Sequence, residues 1–321
     1  MSIRAIYVWI GANNILRWKI KTIVSHNLHI NCCPKWNFDG SSTGQASGVN
    51  TEVQIIPVKI YNFPYDNADV IILCETYDID GTPHVDNHRY KALEKFQSGD
   101  HEPWFGLEVE YFVDDPQKPS TTLNSDETSH YCGFNGNRAT RKTIALEHYN
   151  KCLEMGLTIS GMNAEVTKGQ WEFQIGPCCG IDSGDNTTVA KFMLIWIAEY
   201  YGHNIIINDS KPYENVNGSG CHVNFSTLET RTDNNHATLT EYVDKLALKH
   251  DHHMSIYGDN SKRMTGTHET ANIDKFDYGV GTRHTSVRIP NLTKEYFEDR
   301  RPSSNIDYYQ VTSAIYETCC L

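Results

Sequence analysis

The chain of 321 residues is long enough for one large or two smaller domains with a well-buried core. Its 39% apolar and 21% charged residues are ordinary globular usage and exclude a disordered chain. Formal net charge is -12, from 28 Lys plus Arg against 40 Asp plus Glu, so no nucleic-acid or membrane partner is expected, and any anionic substrate must be held locally by metal ions or converging arginines.

The opening MSIRAIYVWIGANN lacks the pattern of a secretory leader. From there, β-rich runs follow: IRAIYVWI (3–10), RWKIKTIV (17–24), EVQIIPVKIY (52–61) and ADVIILCETYD (68–78), separated by turn residues. Between them, WNFDGSSTGQASG (36–48) reads as a Gly/Ser-rich loop with little strand or helix signal. This predicts a small, mainly β domain over 1–83. From residue 84 the texture changes to helical patterns at 86–97, 141–156, 187–202 and 236–258, alternating with strands, which predicts an α+β domain over 84–321. Three of the four patterns run into Gly156, Gly202 and Gly258, as helices often end. Residues 114–129 read as an exposed polar loop. The longest apolar run, 192–198, is far too short for a bilayer and suits a buried helix. Ten cysteines include three adjacent pairs but no C-x-x-C, so reduced thiols and a cytoplasmic chain are expected.

Successive side chains of a strand point to opposite faces. In FGLEVEYF, Glu108 and Glu110 therefore share one face while Leu107, Val109 and Tyr111 cover the other. In GQWEFQIGP, Gln170, Glu172 and Gln174 oppose Trp171, Phe173 and Ile175. Likewise GSGCHVNFS places His222 and Asn224 on one face, NAEVTKGQWEF adds Glu165, and EYFEDRRP places Glu298 and Arg300 together if extended. One such strand has a plain solvent-face explanation. Several of them, each apolar-backed and acid-fronted, are what a sheet lining a cation-filled cavity requires, and five carboxylates with one imidazole suit Mg²⁺ or Mn²⁺. The cluster His250, His252, His253 lies at an amphipathic helix end and reads as a solvated helix face.

Together WNFDGSST, FGLEVEYF, NAEVTKGQWEFQIGP, NGSGCHVNFS, RMTGTHETANI, SVRIP and YFEDRRPS resemble, in order and spacing, the eukaryotic type of glutamine synthetase. The resemblance implies a β-grasp N-terminal domain followed by a catalytic domain whose curved antiparallel sheet, flanked by helices, lines a funnel-shaped site. It implies that Glu110, Glu165 and Glu172 hold one divalent ion and Glu108, His222 and Glu298 a second. Arg283 and Arg288 match nucleotide and phosphate contacts, and Arg300 a glutamate contact. With Arg283 and Arg288, the residues Glu108, Glu172, Asn224 and Ser226 complete the implied nucleotide site. Arg263, Asn217 and Gly218 match the amino-acid site. Asp39 matches the base that deprotonates ammonium, with Ser42 in the same loop, and Glu269 the flap that shields the acyl phosphate from water.

The implied activity is ATP-dependent ligation of ammonia to the γ-carboxylate of L-glutamate through γ-glutamyl phosphate. The family further implies two bound Mg²⁺ or Mn²⁺ ions and a homo-oligomer with sites between subunits, a decamer of two pentameric rings. Two alternatives share these motifs: a ligase joining glutamate to an organic amine, and a catalytically inactive structural relative. The sequence departs from the family pattern at Val216, at Thr140 and at Thr282-Arg283-His284.

Overall fold

A computed structural model describes residues 2–26, 28–66, 68–114, 131–133, 139–167, 169–214, 216–232, 236–267 and 270–321. Glu269, and the expected loop beyond Asp114, lie outside the described residues. The chain forms two compact units, residues 1–91 with 153–157 and residues 92–152 with 158–321. The first unit thus extends to Lys91, past the boundary expected at residue 83.

In the first unit, strands β1 (Ser2–Ile10), β2 (Leu16–Val24), β3 (Trp36–Asp39), β4 (Glu52–Asn62) and β5 (Val70–Tyr77) form one sheet in the order β2-β1-β5-β4-β3. β1 and β5 run parallel at its centre, where Ala5, Tyr7 and Trp9 pack with Ile55, Ile72, Cys33 and Cys74. Pro57 cannot donate to the ladder, and β4 accommodates it with a register shift between Pro57 and Lys59. One expectation is corrected here. Residues 36–48 were expected to be irregular, yet Trp36–Asp39 is a strand paired with β4, followed by a short 3-10 turn over Gly40–Thr43. Trp36 and Phe38 supply a half-buried apolar face that four residues were too few to display as a period.

The second unit is built on an eight-stranded sheet from β6 (Trp104–Asp114), β7 (Ile159–Ala164), β8 (Gln170–Cys179), β9 (Asn204–Ile206), β10 (Cys221–Ser226), β11 (Tyr278–Val280), β12 (Val287–Ile289) and β13 (Phe297–Asp299). Its order is β11-β12-β13-β10-β6-β8-β7, with β9 on β6, and every pairing but β11 with β12 is antiparallel. Among the described residues seven helices accompany the strands: α1 (His88–Phe96), α2 (Ala139–Glu154), α3 (Ile181–Tyr200), α4 (Leu228–Thr232), α5 (His236–Leu248), α6 (His250–Ile256) and α7 (Tyr308–Cys320). The odd-numbered residues Phe105, Leu107, Val109 and Tyr111 are wholly buried, as are Phe173, Val223, Phe225 and Phe297, and α3 packs against β6 and β8 on that side.

Helix α3 begins six residues before the apolar pattern does. Its first two turns are polar and yet buried because each group is bonded: Ser183 Oγ donates to the Gly180 carbonyl at 2.7 Å, Asp185 accepts from Tyr309 at 2.9 Å, and Asn186 Oδ1 accepts from the Thr158 amide at 2.9 Å. The pattern at 236–258 resolves into two helices, α5 and α6, interrupted at Lys249. Gly156, Gly202 and Gly258 stand at φ +75°, +73° and +76°, the left-handed conformation that ends a helix cheaply only at glycine. All ten cysteines are free thiols, and no described helix is long and apolar enough to cross a membrane.

Candidate active site

Register assembles the site from six strands. Across the sheet His222 stands opposite Glu108, which stands opposite Gln174; in the next row Glu110 faces Glu172, which faces Asn163. On the other flank Asn224 faces Glu298, which faces Arg288. Because the side-chain period is two, all these groups fall on the face opposite the apolar core. The result is a cleft of about 480 Å³ lined by Glu108, Glu110, Glu165, Glu172 and His222 together with Arg263, Arg283, Arg288 and Arg300. Asn217 and Gly218 line the same cleft.

His222 is the hinge of this constellation. Its Nδ1 lies 3.3 Å from Glu298 Oε1 and 3.5 Å from Glu108 Oε2, and its Nε2 is 4.0 Å from Glu110 Oε1. Two sets of donor atoms therefore lie within 4.8 Å of one another: Glu108, His222, Glu298, and Glu110, Glu172, His222. The first is the trio expected from the sequence. The second shares Glu110 and Glu172 with the other expected trio, but it holds His222 where Glu165 was expected. Glu165 lines the cleft from the turn after β7, where Asn163 Nδ2 donates to its Oε1 at 2.9 Å.

The acids of the cleft crowd one another in a buried setting. Burial first, then the charges of Glu108, Glu110 and Glu165, push the Glu172 carboxyl up to about 9; burial and Glu110 push Glu165 up to about 7. Around His222, burial and Arg300 oppose protonation, but the carboxylates of Glu108, Glu298 and Glu110 prevail and raise it to about 9. Glu298 is fully buried, yet His222, Arg300 and Arg288 hold it well below the usual carboxylate range against the cost of burial. Divalent cations fit this donor set: hard carboxylate oxygens with one imidazole, crowded enough that a positive charge among them would restore Glu165 and Glu172 to their ionised forms.

Further contacts fix the lining. Asn224 Nδ2 donates to Glu108 Oε1 at 2.8 Å; the Gly220 amide donates to Glu110 Oε2 at 2.8 Å; Gln174 Nε2 donates to Glu172. Arg288 and Arg300 both donate to Glu298, the latter at 2.7 Å. Arg263 is buried, with Nε on Asn260 Oδ1 at 2.8 Å and Nη2 on the carbonyls of Arg300, Arg301 and Pro302, and burial lowers it to about 10. Gly218 lies so close that a Cβ there would stand 2.7 Å from both Arg263 Cγ and the Ser210 carbonyl. Arg283 is exposed on the rim.

Asn224 and Ser226 line not this cleft but an adjoining cavity of about 380 Å³, which Glu108 and Gln174 also line. Trp104, Arg231, Glu295 and Tyr296 belong to that cavity and escaped the sequence reading, which followed acids on strand faces; Trp104, at the strand edge before FGLEVEYF, was the available signal. Asp39 and Ser42 belong to the first unit, at the end of β3, where the Asp39 carboxylate accepts from the Ser41 amide at 3.0 Å, from Ser41 Oγ at 2.7 Å and from Ser42 Oγ at 3.0 Å. The histidine cluster is corrected: only His252 is exposed. His253 is wholly buried with Nε2 2.9 Å from Thr318 Oγ1, while His250 donates to the Ile273 carbonyl at 3.0 Å and receives Arg301 Nη1 at 3.1 Å. α6 packs on α7, which buries part of a face that the pattern alone leaves open.

A mainly antiparallel sheet whose cleft brings acids and arginines together, beside a second cavity, defines an α+β protein equipped to hold anions and cations together. A model of the glutamine synthetase catalytic domain matches residues 88–251. A putative glutamine synthetase of Acanthamoeba polyphaga mimivirus is 45% identical over 98% of this chain and 93% of its own length. The glutamine synthetases of Emericella nidulans and Schizosaccharomyces pombe are 42% and 43% identical over 99% of the chain, covering 93% and 92% of theirs. Solved structures of GmaS, one an ADP complex and one without ligand, share the fold at TM-score 0.79 and 17% identity, over 98% of this chain and 77% and 76% of theirs. The chain belongs to the glutamine synthetase family.

Proposed function

We propose that the chain is a glutamate–ammonia ligase that couples ATP cleavage to formation of L-glutamine. The observation that carries this reading is the acidic cleft ringed by arginines and continuous, through Glu108 and Gln174, with an apolar cavity. Family membership with curated relatives 40–45% identical over nearly the whole chain supports it.

The first step brings two anions together, the γ-carboxylate of glutamate and the γ-phosphate of ATP, to give γ-glutamyl phosphate and ADP. Arg283, Arg288 and Arg300 surround the space where charge must be offset, and guanidinium forks suit both groups. Arg263 is fixed by Asn260 and three backbone carbonyls before substrate arrives, so it can hold the amino acid without reorganising. The close approach at Gly218 sets the backbone beside it.

Two divalent ions, Mg²⁺ or Mn²⁺, would be held by Glu110, Glu172 and Glu165 and by Glu108, His222 and Glu298, and would supply charge neutralisation and Lewis acidity at the phosphate. In the second step Asp39 takes a proton from ammonium, and the ammonia so formed attacks the acyl carbon and displaces phosphate, which carries away the remaining proton. Its loop belongs to the first unit, and the reading takes it from a neighbouring copy in a ring-forming homo-oligomer, a decamer of two pentamers. Glu269 would close the site against water. A cytoplasmic location goes with this reading.

The test is to incubate the purified chain with ATP, L-glutamate, ammonium and Mg²⁺ and measure glutamine against phosphate. One glutamine per phosphate is expected, abolished by chelation and restored by Mg²⁺ or Mn²⁺. Phosphate release without glutamine, or no turnover with any divalent ion, would refute the reading. Substituting organic amines for ammonium in the same assay should give much slower phosphate release.

A further inference from the structure

The cavity beside the acidic cleft has walls of a different kind. Pro177 gives apolar surface, Trp104 and Tyr296 give aromatic rings, and the backbone of β6 and β8 closes the floor at Gly106 and Gly176. Since Glu108 and Gln174 line both spaces, one ligand can reach from the arginines into the apolar cavity. A nucleoside triphosphate has that division of character, with phosphates for the arginines and a flat base for the apolar walls.

Two charged groups belong to this cavity and not to the cleft. Arg231 is already engaged: its guanidinium lies 3.9 Å over the Trp104 ring, with Nη1 on Ser226 Oγ at 3.0 Å and Nη2 on the Glu102 carbonyl at 2.9 Å. Glu295 is half-buried; its charge is felt by Arg231, but its carboxylate accepts no hydrogen bond among the described residues. An acceptor with no hydrogen-bond donor on it, beside aromatic and apolar surface, suits a ligand that carries a donor on a flat apolar body.

We propose that Glu295 is a specificity-determining residue that reads the nucleobase by accepting a hydrogen bond from the exocyclic amine of adenine. This rests on the ATP-dependent reading above. The triphosphate end is committed to the arginines of the cleft, so the base falls in the cavity, and the amine is the only donor on its ring system. A carboxylate facing that donor favours ATP over a purine that lacks it, because the unpaired acceptor would otherwise lose solvent without gaining a partner.

The experiment compares ATP, purine riboside triphosphate, which lacks only the amine, and 2′-deoxy-ATP in the full-length wild type and in Glu295→Ala and Glu295→Met. Both kcat/KM for glutamine formation and the dissociation constants of the Mg²⁺-nucleotides are measured. The wild type is expected to prefer ATP over the desamino nucleotide about tenfold or more. Both variants should bring that ratio close to one and leave the ratio of ATP to 2′-deoxy-ATP unchanged. An ATP preference that survives both substitutions overturns the proposal. So does a change confined to the 2′-deoxy ratio, which would assign the carboxylate to the ribose. Absence of glutamine formation by the wild type would count against the ligase reading alone, and the dissociation constants would still decide the role of Glu295.

Discussion

Asn224, placed in the nucleotide site by the family resemblance, also shows how much of the site depends on groups that hold other side chains in position. Its Nδ2 holds Glu108 Oε1 at 2.8 Å, one strand away, and so fixes which oxygen of that carboxylate faces His222. Asn224→Ala is expected to weaken Mn²⁺ binding roughly 10- to 100-fold, as removal of an orienting partner does elsewhere, with the fold intact. A calorimetric titration reads the affinity and far-UV circular dichroism the fold; an unchanged affinity would show that Glu108 is oriented without it. Glu172→Ala should act more directly, lowering glutamine formation by at least about 100-fold. Parity made Glu108, Glu110, Glu172, His222 and Asn224 readable from the sequence, because a two-residue period needs no knowledge of neighbouring strands. Parity is silent on Glu295, which lies in the irregular segment before β13 and acquires a role only from the cavity beside it.

At the scale of the element, β13 separates two kinds of chemistry in three residues. Glu298 turns to His222 and the arginines of the cleft, while Asp299 turns to the back of the sheet. There Arg301 donates to it with Nε at 2.9 Å and Nη2 at 2.6 Å, Tyr257 adds its hydroxyl at 2.8 Å, and the guanidinium lies 5.1 Å from the Tyr257 ring and 4.9 Å from Phe276. Asp299 and Arg301 are both fully buried. Arg301→Met leaves a buried carboxylate without its partner and is expected to destabilise the protein by about 3–5 kcal/mol in urea denaturation. Adding Asp299→Asn should recover part of that loss, since the charge is then gone; no recovery would assign the effect to packing. The segment was readable as extended, but the back-face pair depends on Tyr257, about forty residues earlier in the chain.

At the scale of the molecule, buried imidazoles make stability depend on pH. His148 is wholly buried on α2, its Nε2 donating to the Ala190 carbonyl at 2.9 Å and its Nδ1 without a partner among the described residues. Burial lowers it to about 4 against the pull of that carbonyl, and burial together with Arg301 lowers His253 to about 3. The unfolded chain takes up protons near the usual 6.5, so between about pH 6.5 and 4 it binds more protons than the folded chain. Stability is therefore full above that window and is lost as pH falls through it, by about 3 kcal/mol from His148 alone. Urea midpoints at pH 7.5 and pH 5 should differ by less in His148→Gln than in the wild type; an equal difference would remove His148 from the account.

What the sequence determined by itself is the local alternation: which residues of each strand share a face, where helices stop, and that acids recur opposite apolar residues. These follow from backbone geometry within a few residues and need no partner. What only the tertiary structure decided is which faces meet. Register placed His222 between two sets of acids, with Glu165 lining the same cleft, buried His253 against α7, and set Glu295 in the adjoining cavity. Each of these depends on contacts between residues far apart in the chain, and their energies arise from burial and charge density that no short window of sequence contains.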